Sequence, residues 1–300
     1  MRRWQKFTFA FVALLGLATY WLFYDNRPGQ EVAALDIATL RAAANTLPGD
    51  KPSSISVETI ARGTLPATFL VAGAGFGDQH QAVHSFRLNR KDGGVIVDTG
   101  MDAKAAKAMK VYALDDTAQR RVYAALAKAE AIVVTHEHLD HIGGILTSPD
   151  WARVGVHAIV TREQFDHPEF TEPLKWPGDR RAGFKPLAYQ GVKAIAPGVV
   201  LVKAPSHTPG SQIVFVQLAD GHEYLFTGDI SSMDQNWRET RARSRLVGDV
   251  LVGEDRAAVF RWLKAFKALA DANPSLTLVP THDPDTINRL IIAGKLSRGF

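Results

Sequence analysis

Short apolar runs, each closed by a turn-forming group, punctuate most of this chain. Residues 55–60, 67–71, 83–88, 95–97, 131–134, 157–160, 199–204, 212–218, 223–226 and 276–279 have the length and the β-branched or aromatic content of strands. The pair 212–218 and 223–226 flanks Ala219-Asp220-Gly221-His222 and predicts a hairpin. Helical spacing takes over at 117–129, at 139–146 and at 254–272, where Val259, Phe260, Leu263, Phe266 and Leu269 form one apolar stripe and predict a packing helix. Residues 25–45 read as a tether and then an Ala-rich helix (Val32, Leu35, Leu40), broken at Pro48-Gly49-Asp50-Lys51-Pro52. Helices interleaved with strands predict an α/β layered fold.

Residues 162–189 lose regular pattern, and a long irregular segment inside a compact domain is commonly a lid or binding loop. Phe165, Phe170, Trp176 and Phe184, which it carries, are therefore candidate substrate-shaping residues. Gly73-Ala74-Gly75-Phe76-Gly77-Asp78 lacks the spacing of a nucleotide-binding loop and reads as an active-site rim.

Residues 7–24 hold no charge and follow Arg2, Arg3 and Lys6, the pattern of an export signal or membrane anchor with its basic end in the cytoplasm. Gly16-x-Ala18 would serve as a cleavage site. The aromatic cluster Tyr20, Trp21, Phe23 and Tyr24 suits a membrane-interface belt and favours the uncleaved anchor. The expected plan is residues 1–24 as signal or anchor, 25–54 as tether and short helix, and 55–300 as a catalytic domain outside the cytoplasm, secreted if the signal is cut.

Composition narrows the chemistry. In 300 residues, 35 basic and 31 acidic side chains are interspersed for a net charge of +4, so no clustered basic surface for nucleic acid is expected and a small-molecule partner is. The chain has no cysteine, which excludes disulfides, a thiolate ligand and lipoprotein acylation. Any metal must be held by histidine and carboxylate.

Such residues concentrate in Thr135-His136-Glu137-His138-Leu139-Asp140-His141, at the exit of one apolar run. In near-extended chain His136 and His138 project to one side and can reach one ion, whereas Asp140 and His141 point elsewhere and suit a second. Gly143 and Gly144 permit close backbone packing just beyond. His207 (in Pro205-Ser206-His207-Thr208-Pro209-Gly210), Asp229 (in Thr227-Gly228-Asp229) and His282 (in Pro280-Thr281-His282-Asp283) also follow strand-like runs. Taken singly, a turn histidine is more often solvated than metal-bound, and Asp98 after 95–97 more often caps a turn. His157, His167 and His222 read as ordinary surface or packing residues.

The motif and its downstream partners resemble the metallo-β-lactamase superfamily over about residues 55–282. The resemblance implies a four-layered αβ/βα sandwich and two divalent metal ions, with His136, His138 and His207 on one, Asp140, His141 and His282 on the other, and Asp229 bridging. It implies that Asp98 accepts the spare N–H of a ligating imidazole. Nitrogen and oxygen ligands suit zinc, with manganese and iron left open by ligand type. The expected activity is hydrolysis by a hydroxide shared between the ions, Asp140 orienting it and carrying a proton to the leaving group. Asp229 is similar to the bridging carboxylate of the lactonase and glyoxalase II branches and unlike classical zinc β-lactamases, which points to an ester, lactone or related carboxyl derivative. Asp229 is followed by Ile230-Ser231-Ser232-Met233, without the tyrosine some lactonases carry nearby. A β-lactam hydrolase and a catalytically silent, membrane-tethered metal protein are the alternatives.

Overall fold

The computed structural model describes residues 3–91 and 93–300; Arg2 of the basic N-terminal group lies outside them. Among the described residues, twelve strands form two sheets. The first contains β1 (Ser54–Pro66), β2 (Asp78–Arg90), β3 (Gly93–Val97), β4 (Tyr112–Leu114), β5 (Ala131–Val133), β6 (Ala158–Ile159) and the C-terminal Ser297–Arg298. The second contains β7 (Val192–Ala196), β8 (Val199–Lys203), β9 (Gln212–Gln217), β10 (Glu223–Phe226) and β11 (Thr277–Val279). With Ser297–Arg298 as β12, the orders are β12-β1-β2-β3-β5-β6, β4 pairing β1, and β11-β10-β9-β8-β7.

Alternation along the strands decides how the layers stack, because successive side chains leave opposite faces. On the second sheet Val199, Leu201, Val214, Val216, Tyr224 and Phe226 meet Ile55, Val57, Phe86, Leu88, Val95 and Val97 of the first in one buried core. Phe86 and Phe226 touch edge to face across it, ring centres 4.9 Å apart. The intervening residues Val200, Val202, Ile213, Phe215 and Leu225 face outward onto the helices Ile37–Ala44 and Arg256–Ala272. Ile60, Ile96 and Ile132 of the first sheet face Val122, Leu126, Ile142 and Ile145 of the helices Asp116–Leu126 and Leu139–Thr147. The four-layered αβ/βα sandwich expected from the sequence is the fold that forms. Leu40 and Ala44 belong to an outer core layer, so the segment before residue 55 packs on the domain.

Several elements differ from the pattern-based expectation. Residues 67–71 form the short helix Ala67–Leu70 instead of a strand. A five-residue apolar run cannot settle its own period, and here Ala67 N and Thr68 N donate to Gly77 O and Gly75 O, folding the chain back on itself. The segment 162–189 contains the helical turns Arg162–Asp166, Pro168–Thr171 and Gly178–Gly183. The strands β4 and β7 and the helix Pro284–Ile292 were not marked by the hydrophobic pattern.

Strand direction gathers the site at one edge. β3 and β5 are parallel, as are β10 and β11, and β8 runs antiparallel to β9, which runs antiparallel to β10. The C-terminal ends of β3, β5, β8, β10 and β11 therefore open on the same side. Asp98, His136, His207, Asp229 and His282 stand just after those ends.

Candidate metal centre

The turn after β5 is held rigid by its neighbours. Asp98, fully buried at a left-handed φ of 59°, accepts from Thr135 N at 2.7 Å and from Thr135 Oγ1. Aspartate tolerates that backbone region better than most residues. Helix Leu139–Thr147 starts at once, and its glycines press on the loop after β3: a Cβ on Gly144 would stand 2.1 Å from Thr99 O. Thr99 N donates to His141 O at 2.8 Å across this contact. Glu137 points away from its histidine neighbours, accepting from Thr208 Oγ1 (2.7 Å) and Gly210 N (2.9 Å), and so fastens the His207 turn to the His136 turn. Burial pushes its carboxyl up to about 7 against the pull of those bonds.

Three groups of donors converge: His136, His138 and His207; His136, His141 and Asp229; and Asp140, His141 and His282, within each of which the ligand atoms lie within 4.8 Å of one another. All seven sequence-selected donors belong to them. His138 Nδ1 faces both His136 Nε2 (2.9 Å) and His207 Nε2 (3.0 Å). His141 Nε2 faces His282 Nε2 at 3.2 Å, and Asp229 reaches both halves, 3.0 Å from His282 Nε2 and 3.7 Å from His207 Nε2. Asp140 Oδ2 lies 3.6 Å from His282 Nε2.

The partners of the outer ring nitrogens fix the tautomers. His282 Nδ1 lies 2.8 Å from Ala82 O, which can only accept, so Nδ1 carries the hydrogen and Nε2 presents a lone pair inward. His141 Nδ1 donates to Asp98 Oδ2 at 3.0 Å and His207 Nδ1 to Glu254 Oε1 at 2.5 Å, with the same consequence. Lone pairs that face one another at hydrogen-bond distance repel unless a cation or proton stands among them. The donor set therefore fits divalent metal ions bound through imidazole nitrogen and carboxylate oxygen.

The electrostatics agree with that reading. Burial and the neighbouring imidazoles push His136 and His138 well below the usual histidine range. Burial also opposes charge on His141, but Asp98, Asp140 and Asp229 outweigh it and hold this imidazole up at about 10. His282 is raised as well, since Asp229 outweighs its burial. Asp229 is buried, yet His282 and Arg243 keep its carboxyl well below the carboxylate range.

Four functional candidates were not picked out from sequence. Arg243, buried, donates to Asp229 Oδ2 (2.7 Å), Glu254 Oε1 (2.8 Å) and Ser232 Oγ. Glu254 in turn holds His207, so two anions and one guanidinium lock two of the donors. Gln81 and Tyr112 line the adjoining cavity of about 270 Å³, Tyr112 donating to Gln81 Oε1 at 3.2 Å while Gln81 Nε2 has no hydrogen-bond partner among the described residues. No sequence signal joins these residues, because Arg243 and Glu254 meet His207 across 36 and 47 positions.

The expected loop residues divide. Phe165, Trp176 and Phe184 pack on one another within 6 Å between ring centres and join the outer core. Phe170 alone of the four meets a donor, its ring 5.5 Å from that of His138. His157, His167 and His222 pair with Glu130 O, Glu169 and Asp220, and belong to none of the donor groups among the described residues. A larger cleft of about 510 Å³, beside Lys267, Asp271 and Arg289, contains none of the donors either.

An αβ/βα sandwich with a buried histidine and aspartate cluster at one sheet edge defines a metallohydrolase-like architecture. The chain belongs to the metallo-beta-lactamase superfamily, whose family model matches residues 80–282. It is 25% identical over 172 residues to an N-acyl homoserine lactonase of a Bacillus species, covering 52% of this chain and 66% of that one. It is 30% identical over 154 residues to the transcription termination factor FttA of Thermococcus kodakarensis, covering 45% of this chain and 24% of that one. The chain thus spans about a quarter and about two thirds of the lengths of these relatives. A quorum-quenching N-acyl homoserine lactone lactonase superimposes with a TM-score of 0.61 at 19% identity, over 80% of this chain and 95% of that one. AidC, a dizinc quorum-quenching lactonase, does so with a TM-score of 0.54 at 14% identity, over 79% and 92%. These structures share the fold.

Proposed function

We propose that the protein is a metal-dependent hydrolase that opens an ester, lactone or related carboxyl derivative. The observation that carries this is the inward convergence of imidazole lone pairs on two adjoining donor sets, with Asp229 3.0 Å from His282 Nε2 and 3.7 Å from His207 Nε2. His136, His138 and His207 would hold one divalent ion, Asp140, His141 and His282 the other, with Asp229 common to both. Zinc suits these ligands and is the metal named for AidC. When bound, two such ions supply Lewis acidity and a water acidic enough to ionise near neutral pH.

The chain's own groups do the rest. Asp98 and Glu254 hold His141 and His207 in one tautomer, and Arg243 and Thr281, the latter donating at 2.8 Å, hold Asp229 in place. Asp140, at the cavity wall, is the group positioned to take a proton from attacking water and return it to a leaving oxygen. Phe170 beside His138 is the member of the aromatic loop that would shape the entrance. The helix Arg3–Phe23, long and apolar enough to cross a membrane, would anchor the domain outside the cytoplasm.

The test is metal content of the purified full chain together with turnover on a panel of lactone, thioester, phosphodiester and β-lactam substrates. Two metal equivalents and turnover of a carboxyl derivative, lost by orders of magnitude in Asp140→Ala, are expected. Absence of metal under zinc-replete conditions would overturn the reading.

A further inference from the structure

We propose that the mouth of the cavity beside the donor cluster rests on a lipid surface, so that its substrate is an amphiphile taken from the membrane interface. The placement follows from how the apolar helix joins the domain. None of the stretch Trp4–Phe23 is buried against the protein, and at 1.5 Å per residue it is long enough to cross the hydrocarbon layer.

Its last turn is fixed firmly to the domain. Phe23 O accepts from Gly73 N and from Thr68 Oγ1, both at 2.7 Å. The Phe23 ring meets Phe76 edge-on at 5.1 Å and stacks on Phe69 at 6.3 Å. Asp25, buried, pairs with Arg245 at 2.7 Å, and the Arg245 guanidinium covers Trp21 at 5.2 Å. Such a junction leaves the domain little freedom to turn, so one face of it must lie against the surface from which the helix emerges.

That face carries the cavity. Ala67–Leu70, which grips the helix end through Thr68 and Phe69, and Leu246–Val252, which begins directly after Arg245, also supply cavity wall: Leu70 from the first, Val247 and Val252 from the second. The same region turns apolar side chains outward, with Phe76 53%, Val250 59% and Leu251 68% exposed. Phe76 touches the apolar helix directly, its ring 5.1 Å from that of Phe23, and Val250 and Leu251 lie in the helical turns Leu246–Val252 that follow Arg245, the residue covering Trp21. Exposed apolar groups continuous with a membrane-crossing segment are the mark of an interface with lipid. A wall of Leu65, Leu70, Met109, Val111, Val247 and Val252 would then receive the hydrocarbon part while the hydrolysable group reaches the donors.

What enters the cavity rests on the hydrolase reading; where its mouth lies does not. Because the chain has no cysteine, single labelling sites are simple to build. Leu251→Cys, Phe76→Cys and, in the hairpin at the opposite edge of the sheet, Asp220→Cys would each carry a nitrobenzoxadiazole label on the full chain in phosphatidylcholine and phosphatidylglycerol vesicles. Labels at 251 and 76 should be blue-shifted and quenched by lipid-borne nitroxide, while the label at 220 should be quenched by aqueous iodide. Equal iodide quenching at all three positions, in protein that floats with the vesicles, overturns the proposal, and failure to float removes the anchor and the proposal together. Val250→Asp with Leu251→Asp should lower turnover of a vesicle-borne ester several-fold and leave a soluble short-chain ester unaffected; equal loss on both would also overturn it. Absence of turnover on every ester would instead sink the hydrolase reading and leave the labels as they are.

Discussion

Asp98→Asn removes one charge and changes one hydrogen-bond polarity without changing shape. Asp98 Oδ1 accepts from Thr135 N at 2.7 Å, and Oδ2 accepts from His141 Nδ1 at 3.0 Å. The Thr135 backbone donor is buried and bound to this carboxylate, so the asparagine oxygen stays on it and the NH₂ group takes the place of Oδ2. Two donors then face each other, and His141 can relieve the conflict only by moving its hydrogen to Nε2, the atom that faces His282 and the donor cluster. The ligand lone pair is lost from one of the two proposed sites. Loss of a hydrogen bond to a charged acceptor is worth about 1.5–3 kcal/mol, which is roughly a 10- to 100-fold loss of metal affinity, the range found when such outer partners of ligands are removed. His136, His138 and His207 do not touch Asp98 through their outer nitrogens, so the first site should bind as before. Zinc titration against a chromophoric chelator would resolve the two affinities. Equal affinities in wild type and variant at both sites would refute the tautomer argument, and a uniform fall at both would show that the substitution merely loosens the fold.

The charge balance at the cluster predicts proton release on metal binding. With His141 held up at about 10 and His282 raised, metal-free protein near pH 7 carries protons there that a metal must displace. Zinc titration calorimetry in buffers of different ionisation enthalpy should report that release, and a heat independent of buffer would contradict it. Gly144→Ala places a Cβ against Thr99 O and should cost about 1–3 kcal/mol; an unchanged urea midpoint would show that the helix shifts freely. His84, buried and bonded to Thr281 O, is pushed by burial down to about 4. Below pH 6.5 the unfolded chain takes a proton that folded His84 refuses until about pH 4, so its contribution is complete above 6.5 and lost as pH falls, by about 3 kcal/mol in total. Urea unfolding at pH 7 and 4.5 should show that fall reduced in His84→Gln, and an identical fall in both would assign it to other groups.

The strands that carry the donors were legible because each is a short apolar run ended by a polar turn. β8, β9 and β10 are near-continuous apolar runs buried on both faces, which marked them as strands between two layers, while the sandwich itself was expected from the family resemblance. The run 67–71 misled because it is equally apolar, but Pro66 before it and the glycines after it make the chain fold back instead of extending. Short strands such as β4, with three residues, carry too little pattern to register. Of the candidate donors, those from His136 to His141 were marked by residue type and spacing, and the other three by likeness to the family's motifs. Arg243, Glu254, Gln81 and Tyr112 were not, because an arginine or glutamate becomes a buried partner only when the tertiary fold brings an opposite charge to it.

This difference separates two parts of the site's physics. The candidate donors are confined to a few chemical types and follow the ends of strands; those from His136 to His141 stood out by local spacing, whereas His207, Asp229 and His282 were singled out through the family resemblance. Residues that fix charge and tautomer are drawn from wherever the fold passes, as Glu254 comes from the segment ahead of helix Arg256–Ala272, and Arg243 from the stretch that also grips the apolar helix through Arg245. Arg243 donates to Asp229 while Arg245, two residues on, pairs with Asp25 at the end of that helix. One short segment thus touches both the donor cluster and the junction with the apolar helix. A charge reversal at Asp25 would therefore disturb Arg245 first and reach Asp229 only through movement of the backbone between them. Asp25→Lys should accordingly loosen the helix junction, seen as faster proteolysis between residues 24 and 31, before it alters metal affinity. Loss of metal with an intact junction would show that the two ends of this segment are coupled differently from the contacts that join them.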